Sequence, residues 1–144
     1  LKEISLPSVK KVGAVAFYQC SQLTSVDLPL VKEIGWSAFA GCNDLITVNL
    51  PLLAATHGYS FSYCDSLVSI DLPTLTAISY REFYQSTSLQ SVYAPLVTDI
   101  DSEAFYHCDS LQFLYMPNLS DFTEYDEYLS AGLNVYGDDY NYYT

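Results

Sequence analysis

Apolar residues return at fixed positions every 22 residues along the first 122 residues of this 144-residue chain. Each unit opens with leucine, has apolar residues at its fourth and sixth positions and has proline at its seventh. The alternation of apolar and polar side chains, as in Val26-Asp27-Leu28, predicts a short strand with one buried face. Proline should end each strand, because it has no backbone N–H for a ladder. The six units begin at Leu1, Leu23, Leu45, Leu67, Leu89 and Leu111.

The second half of each unit carries another apolar set, which contains the motif Ala-Phe-x-x-Cys in its most complete form. We interpret this motif as one helical or 3₁₀ turn that presents phenylalanine and cysteine, three residues apart, on the same inner face. The phenylalanines should form the spine of the core, because each buried ring removes roughly 150–250 Å² from water. The predicted core ladder comprises Phe17, Phe39, Phe61, Phe83, Phe105, Cys20, Cys42, Cys64 and Cys108.

This period is typical of leucine-rich repeats, in which each repeat adds one strand and one compact return segment to a solenoid. The pattern Leu-x-x-Val-x-Leu-Pro followed by Ile-Gly-x-x-Ala-Phe-x-x-Cys, complete in residues 23–42, resembles the BspA-type leucine-rich repeats of bacterial and protist surface proteins. The resemblance implies a right-handed α/β solenoid of six 22-residue repeats, with a parallel sheet on one face and short helical turns on the other. It also implies a cell-surface or secreted setting and roles in adhesion or protein binding.

The repeat pattern defines two parts of the chain. Residues 1–122 are predicted to form the solenoid, and residues 123–144 an acidic, tyrosine-rich C-terminal cap or tail. The register of the repeat is lost after Phe122, and the remaining 22 residues contain six tyrosines and five acidic residues. Because terminal repeats need a polar covering, we predict that this segment covers the end of the core.

Charge and composition restrict the partners. The formal net charge of −12 argues against binding to nucleic acid or to an anionic membrane, and leaves a protein or glycan ligand, with a basic one compatible. The chain has no apolar run of about 18 residues or more, so no direct membrane insertion is expected. The opening residues LKEISLP have neither an initiator methionine nor a signal-peptide pattern, as expected of a domain taken from a longer protein.

The cysteines and histidines offer little catalytic chemistry. The four cysteines share one repeat position, and equivalent side chains in a parallel stack point the same way, so buried free thiols are expected rather than disulfides. His107 adjoins Cys108, but neighbouring residues on a turn point in different directions, which disfavours a catalytic pair. No nucleotide-binding or zinc-protease motif is present. We therefore predict no enzyme activity, no cofactor and no metal site.

The outward face of the predicted sheet is the candidate ligand-binding surface. Its third and fifth repeat positions, here called the sheet strip, are small and acidic in the first repeats and aromatic in the last ones. Exposed tyrosine and phenylalanine bind partners at low entropic cost. Two other interpretations remain open: a merely solvated sheet face, and aromatic residues buried by the tail. The candidate binding residues are Asn49, Asp71, Ser91, Tyr93, Phe113 and Tyr115.

These features predict a protein- or glycan-binding module of a cell-surface or secreted, adhesin-like leucine-rich-repeat protein, with the ligand on a concave sheet. The alternative is a structural spacer or self-assembling repeat scaffold without a dedicated ligand. Weak end-to-end self-association through the terminal strands would be the sign of that alternative.

Overall fold

The structure is a computed structural model, and it describes residues 1–120 together with the backbone of residues 134–136. Within these residues the chain winds into a stack of repeats in which each residue lies beside its equivalent 22 positions later. Strand and return segment alternate throughout, as the repeat pattern predicts.

The predicted strands are present, and those that pair do so in parallel. They occupy the third to fifth positions of the repeats, and Ile4, for example, lies opposite Val26 in the adjoining strand. The alternation of side chains buries the fourth position of most strands and turns the third and fifth outward. These strands are β1 (Glu3–Ser5), β3 (Ser25–Asp27), β5 (Thr47–Asn49), β7 (Ser69–Asp71), β9 (Ser91–Tyr93) and β11 (Phe113–Tyr115).

A second ladder of two-residue strands follows the proline turn, and the sequence interpretation did not include it. The aliphatic residue at position twelve anchors these strands, since Val12, Ile34, Ile78 and Ile100 are all buried. No helix occurs in residues 1–120, and hence none there that could cross a membrane. The strands are β2 (Lys11–Val12), β4 (Glu33–Ile34), β6 (Ala55–Thr56), β8 (Ala77–Ile78) and β10 (Asp99–Ile100).

The return segments are not helical, so the predicted helical or 3₁₀ turns were wrong. Backbone N–H groups alternate in direction: the Cys42 N–H donates to the Phe39 carbonyl of its own repeat, whereas the Phe39 N–H donates to the Ser60 carbonyl of the next. A helix would require every N–H to bond within its own segment. Non-glycine residues at positions 15 and 19, such as Val15 and Gln19, adopt φ near +55° in almost every repeat. Because it recurs along the stack, this left-handed conformation belongs to the repeat fold and does not by itself indicate a functional site.

The phenylalanine ladder lies at the centre of the core. Phe39, Phe61 and Phe83 are completely buried, and successive rings stack with centroids 5.2–5.8 Å apart and nearly parallel planes. Phe17, at the end of the ladder, is only partly buried. Offset stacking of this kind adds to the gain from burial, because the negative face of each ring meets positive ring edges.

Both strand ladders are interrupted between the third and fourth repeats. β5 and β7 belong to different sheets, as do β6 and β8, although the return segments of the two repeats remain hydrogen-bonded. Side-chain hydroxyls substitute for some of the missing backbone donors: Thr74 donates to the Leu53 carbonyl and Ser79 to the Thr56 carbonyl, at 2.8 and 2.9 Å. These bonds give the two carbonyl groups hydrogen-bond partners, so they are not left unpaired at the junction.

Part of the predicted cap continues the sheet. The strand β12 (Asn134–Tyr136) pairs in parallel with β11, with Tyr136 in register with Tyr115. The edge of β11 is thus paired, which is one way for a protein to protect a sheet edge. The prediction that the tail covers the end of the core, and the predicted boundary after Phe122, otherwise fall outside the described residues.

Candidate functional site

The residues of the sheet strip lie on the outward face of the strands at positions three to five of the repeats. Asn49 and Asp71 are exposed there, Ser91 is half-buried and Tyr93 is 45% exposed. Phe113 is also exposed, and Tyr115 is half-buried beside it. Asp71, Ser91, Tyr93, Phe113 and Tyr115 thus lie on the paired strands β7, β9 and β11, whereas Asn49 lies on β5, across the interruption of the ladder.

The aromatic end of the strip is an ordered pair of rings. Tyr93 and Tyr115 stack with centroids 5.2 Å apart and an interplanar angle of 9°. In the backbone register, Tyr136 is paired with Tyr115 and Asn134 with Phe113. The tail therefore extends the sheet next to the aromatic residues.

The polar end of the strip is internally hydrogen-bonded. The Asn49 amide donates to the Asp27 carboxylate at 2.6 Å, and the Ser5 hydroxyl donates to the same carboxylate at 3.2 Å. These bonds relieve the repulsion that an unbroken row of acids would suffer on neighbouring strands. Some hydrogen-bonding groups at this end of the strip are thus already bonded to one another.

A groove lies on the return segments of the first three repeats, which the sequence pattern did not single out. This groove has a volume of about 940 Å³, and four aromatic rings line it: Tyr18, Trp36, Tyr59 and Tyr63. We call it the aromatic groove. Tyr18 and Trp36 are each 51% exposed and Tyr63 is 40% exposed, so ring area remains available to a ligand. The only signal in the sequence was an enrichment of aromatic residues at variable positions of the return segments.

The left-handed positions build this groove. Val15, Ser37 and Tyr59 occupy position 15 in successive repeats, while Gln19 and Tyr63 occupy position 19, and all five have φ of 52–56°. Gly41 holds the remaining left-handed position, where a Cβ would lie 3.2 Å from the Gln19 side chain. Glycine adopts this left-handed conformation, with φ of +75°, without strain and avoids that close contact.

The lining of the groove is uncharged, although the chain carries a net charge of −12. Its polar members are the amides of Gln19 and Asn43 and the hydroxyls of Ser21 and Ser37. Asn43 uses its Nδ2 to donate to the Tyr63 carbonyl and to the Asp65 carboxylate, which leaves its Oδ1 as an acceptor. The groove therefore combines ring faces with neutral hydrogen-bonding groups.

Arg81 fixes the aromatic residues at one end of the groove. It forms an ion pair with Glu103 and donates to the Tyr59 hydroxyl at 2.8 Å. Its guanidinium also lies over the rings of Tyr59, Tyr80 and Tyr84, 4.7–5.7 Å from their centroids. These contacts raise the pKa of Arg81, chiefly through Glu103, and hold Tyr59 in place.

The cysteine position has a structural role that the sequence did not reveal. The thiols of Cys42, Cys64 and Cys108 donate to the phenylalanine carbonyl 25 residues earlier, at 3.0–3.4 Å. Ser86 makes the same bond at 2.7 Å to the Phe61 carbonyl. A small donor is what this position requires, which explains why serine can replace cysteine. All four cysteines are free.

We expect the buried thiols to be unreactive. Burial raises the pKa of Cys42 and Cys108 to about 12 and that of Cys64 well above its ordinary value, so almost no thiolate is present at neutral pH. Titration of the native protein with a thiol reagent should modify Cys20, which is half-buried, before the other three. Those three should react only after denaturant is added. Mass spectrometry under non-reducing conditions that showed two intramolecular disulfides would contradict this arrangement.

The remaining candidate groups do not assemble a catalytic site in the described residues. His57 bonds to Glu33 at 2.8 Å, on the side of the second strand ladder. His107 lies 3.6 Å from the Asp109 carboxylate and is exposed, whereas the neighbouring Cys108 is buried. Among these residues, no group of histidine, cysteine and acidic side chains is placed to hold a metal ion.

The 22-residue period, the parallel strands and the buried leucine and phenylalanine ladders define a leucine-rich-repeat solenoid. More specifically, the chain belongs to the BspA type leucine-rich repeat region family, which matches residues 1–128 in six copies. This family assignment agrees with the resemblance drawn from the sequence pattern.

Solved bacterial structures share the fold. The T. pallidum leucine-rich repeat protein TpLRR is 30% identical, with a TM-score of 0.78 over 94% of this chain and 69% of its own. A leucine-rich repeat protein from Bacteroides ovatus ATCC 8483 (24% identity, TM-score 0.70) matches over 95% of this chain and 42% of its own. A leucine rich cell surface protein from Faecalibacterium prausnitzii A2-165 (24% identity, TM-score 0.67) matches over 93% of this chain and 44% of its own. This chain thus spans less than half of the last two. No curated protein matches the sequence.

Proposed function

We propose that this domain is a protein- or glycan-binding module of a cell-surface or secreted protein. Membership of a leucine-rich-repeat family is consistent with a binding or scaffold role. One structural neighbour is described as a cell surface protein, which supports the proposed location. The observation that carries the proposal is the exposure of aromatic side chains on two surfaces, the sheet strip and the aromatic groove.

Exposed aromatic clusters favour binding over a purely structural role. A solenoid that serves only as a spacer needs its outer positions to be soluble, and small polar residues such as those of the first repeats meet that need. Rings held in stacks and edge contacts, as at Tyr93 and Tyr115 or at Trp36 and Tyr59, instead present apolar area at low entropic cost. Such surfaces are typical of interaction sites.

The proposal is tested by screening the purified domain against extracellular-matrix proteins and a glycan array. Reproducible binding of a ligand from either set would support a binding module. Binding of neither, together with concentration-dependent end-to-end oligomers in analytical ultracentrifugation, would instead support the alternative of a self-assembling scaffold.

For a protein ligand, we expect the sheet strip to be the contact surface. The Tyr93→Ala/Tyr115→Ala variant removes both rings of the stack, and loss of an aromatic anchor costs about 2 kcal/mol or more, or roughly 30-fold in Kd. Because Asp71 lies beside Tyr93 on the neighbouring strand, a basic partner should also associate faster at low salt. Surface plasmon resonance measures both effects. Glu33→Ala, on the second ladder, is the control, and full affinity in the folded double variant would move the contact off the strip.

A further inference from the structure

We propose that the aromatic groove binds a neutral glycan chain. This inference deepens the proposed function, because it names one ligand class and places it on the return segments rather than on the sheet. It rests on the shape of the groove, on its uncharged lining and on the ordering of its rings before any ligand arrives.

The shape suits an extended ligand. The rings come from three successive repeats: Tyr18 from the first, Trp36 from the second, and Tyr59 and Tyr63 from the third. Successive repeats lie about 4.8 Å apart, so the row of rings extends roughly 10 Å along the solenoid axis. The volume of about 940 Å³ is at the upper end of the range for ligand sites, as expected for a groove that holds several linked units.

The chemistry of the lining matches a sugar better than other ligands. A pyranose ring presents C–H bonds on its faces, which are attracted to the negative face of an aromatic ring. Its hydroxyls can donate to the amide oxygens of Gln19 and Asn43 or bond to the Ser21 hydroxyl. Because these polar groups interrupt the aromatic area, the groove lacks the continuous apolar stripe that would receive an amphipathic helix.

The absence of charge from the lining disfavours anionic ligands. Phosphate or carboxylate groups are normally bound by arginine or lysine. Arg81 is the only lysine or arginine after Lys32. It is not among the residues that line the groove, and its guanidinium is engaged by Glu103 and the Tyr59 hydroxyl. An acidic polysaccharide would therefore find no lysine or arginine in the lining of the groove.

The rings are ordered in advance. Trp36 and Tyr59 meet edge to face at 5.7 Å, Tyr59 meets Tyr80 at 5.5 Å, and Tyr63 meets Tyr84 at 5.7 Å. Contacts of this kind reduce the entropy lost when a ligand binds. A sugar chain, which gains little from each separate contact, depends on such preorganisation.

Trp36 gives a direct test, because it is the only tryptophan in the chain and lines the groove. We expect titration with a neutral oligosaccharide, chosen from cellohexaose, xylohexaose and mannohexaose, to shift the Trp36 emission, whereas an oligogalacturonate of equal length should leave it unchanged. In isothermal titration calorimetry the same sugar should bind the wild-type domain.

Two variants locate the site. Tyr18→Ala and Tyr63→Ala should each weaken binding by about tenfold or more, as expected when an aromatic contact is lost. Leu96→Ala is the control, because Leu96 is 47% exposed, as these residues are, but belongs neither to the groove lining nor to the sheet strip. Its affinity should equal that of the wild type. Circular dichroism and melting curves establish that each variant is folded.

The other outcomes separate this inference from the proposed function. Neutral glycan binding that Tyr93→Ala abolishes and Tyr18→Ala preserves would overturn the groove as the site, while the domain would remain a binding module. Binding of only a matrix protein, or of only the acidic oligosaccharide, would likewise overturn the groove as a neutral-glycan site, while the domain would remain a binding module. Failure to bind any member of either screen would overturn both proposals.

Discussion

Replacing Phe61 by alanine is expected to lower the free energy of unfolding by about 3–5 kcal/mol. Phe61 is completely buried and stacks on Phe39 at 5.6 Å and on Phe83 at 5.8 Å. The substitution therefore removes buried apolar area, leaves a cavity and breaks two ring contacts at once. Because each repeat supports both its neighbours, the loss should affect the stack beyond the third repeat.

Thermal and urea unfolding followed by circular dichroism measure this effect. The matched control is Phe17→Ala, since Phe17 occupies the same repeat position but is partly exposed and stacks on Phe39 alone among the ring contacts of the ladder. Phe17→Ala should lower the free energy of unfolding clearly less than Phe61→Ala does. If Phe61→Ala melted within a degree or two of the wild type, or lost no more stability than Phe17→Ala, the ladder would not be the centre of the core.

The strands of the first sheet could be predicted because they depend on local pattern. A buried residue at position four between two outward residues defines a strand face, and the constant 22-residue step fixes the register of every pair, such as Val26 with Val48. Proline at position seven then marks the end of each strand. The fold of residues 1–120 follows from this repetition together with the buried leucines.

The return segments could not be predicted from local pattern. Phe39 and Cys42, three residues apart, suit one face of a helix, and the sequence alone gives no reason to prefer another turn. The preference arises between repeats, because the N–H groups of positions 15, 17 and 19 find acceptors in the next repeat. The inward side chains have the same three-residue spacing in a helical turn and in the observed return segment. The spacing therefore predicted correctly that these side chains are buried, but wrongly that the backbone is helical.

The aromatic groove was missed because its residues share no repeat position. Tyr18, Trp36, Tyr59 and Tyr63 occupy positions 18, 14, 15 and 19 of their repeats. A search for constant positions treats such residues as variable surface. They become neighbours only when the repeats stack. By contrast, the aromatic residues of the sheet strip lie at constant outward positions, which is why the sequence pointed to them.

Glu82 is another residue whose environment depends on the fold. It occupies position 16, which is alanine in the first, second and fifth repeats, and it is completely buried at the junction where both strand ladders are interrupted. The hydroxyls of Thr56 and Ser60 and the backbone of Ser60 and Gly58 face the carboxyl. None of them completes a hydrogen bond to it among the described residues, and Thr56 donates to Ser79 instead. Burial therefore dominates, and it raises the pKa of Glu82 to about 8.

A raised carboxyl pKa makes stability depend on pH in a defined direction. In the unfolded chain Glu82 releases its proton near its ordinary pKa of 4.5, whereas in the folded protein it holds the proton up to about pH 8. The stabilisation linked to this proton is complete below pH 4.5, declines as the pH rises towards 8, and is lost above that value. The decline is about 1.4 kcal/mol per pH unit within this window, so several kcal/mol are at stake.

Glu82→Gln is expected to abolish this decline, because glutamine has nearly the same shape and carries no charge at any pH. The free energy of unfolding from urea titrations should be similar for the two proteins near pH 5 and should favour the variant by several kcal/mol near pH 8.5. Glu33→Gln is the control: Glu33 is a partly exposed carboxyl whose pKa Lys11 and His57 lower, so its contribution is lost at acidic rather than alkaline pH. Parallel stability curves for wild type and Glu82→Gln from pH 5 to 8.5 would show that the Glu82 carboxyl ionises without cost, and hence that water or a partner reaches it at the interrupted junction.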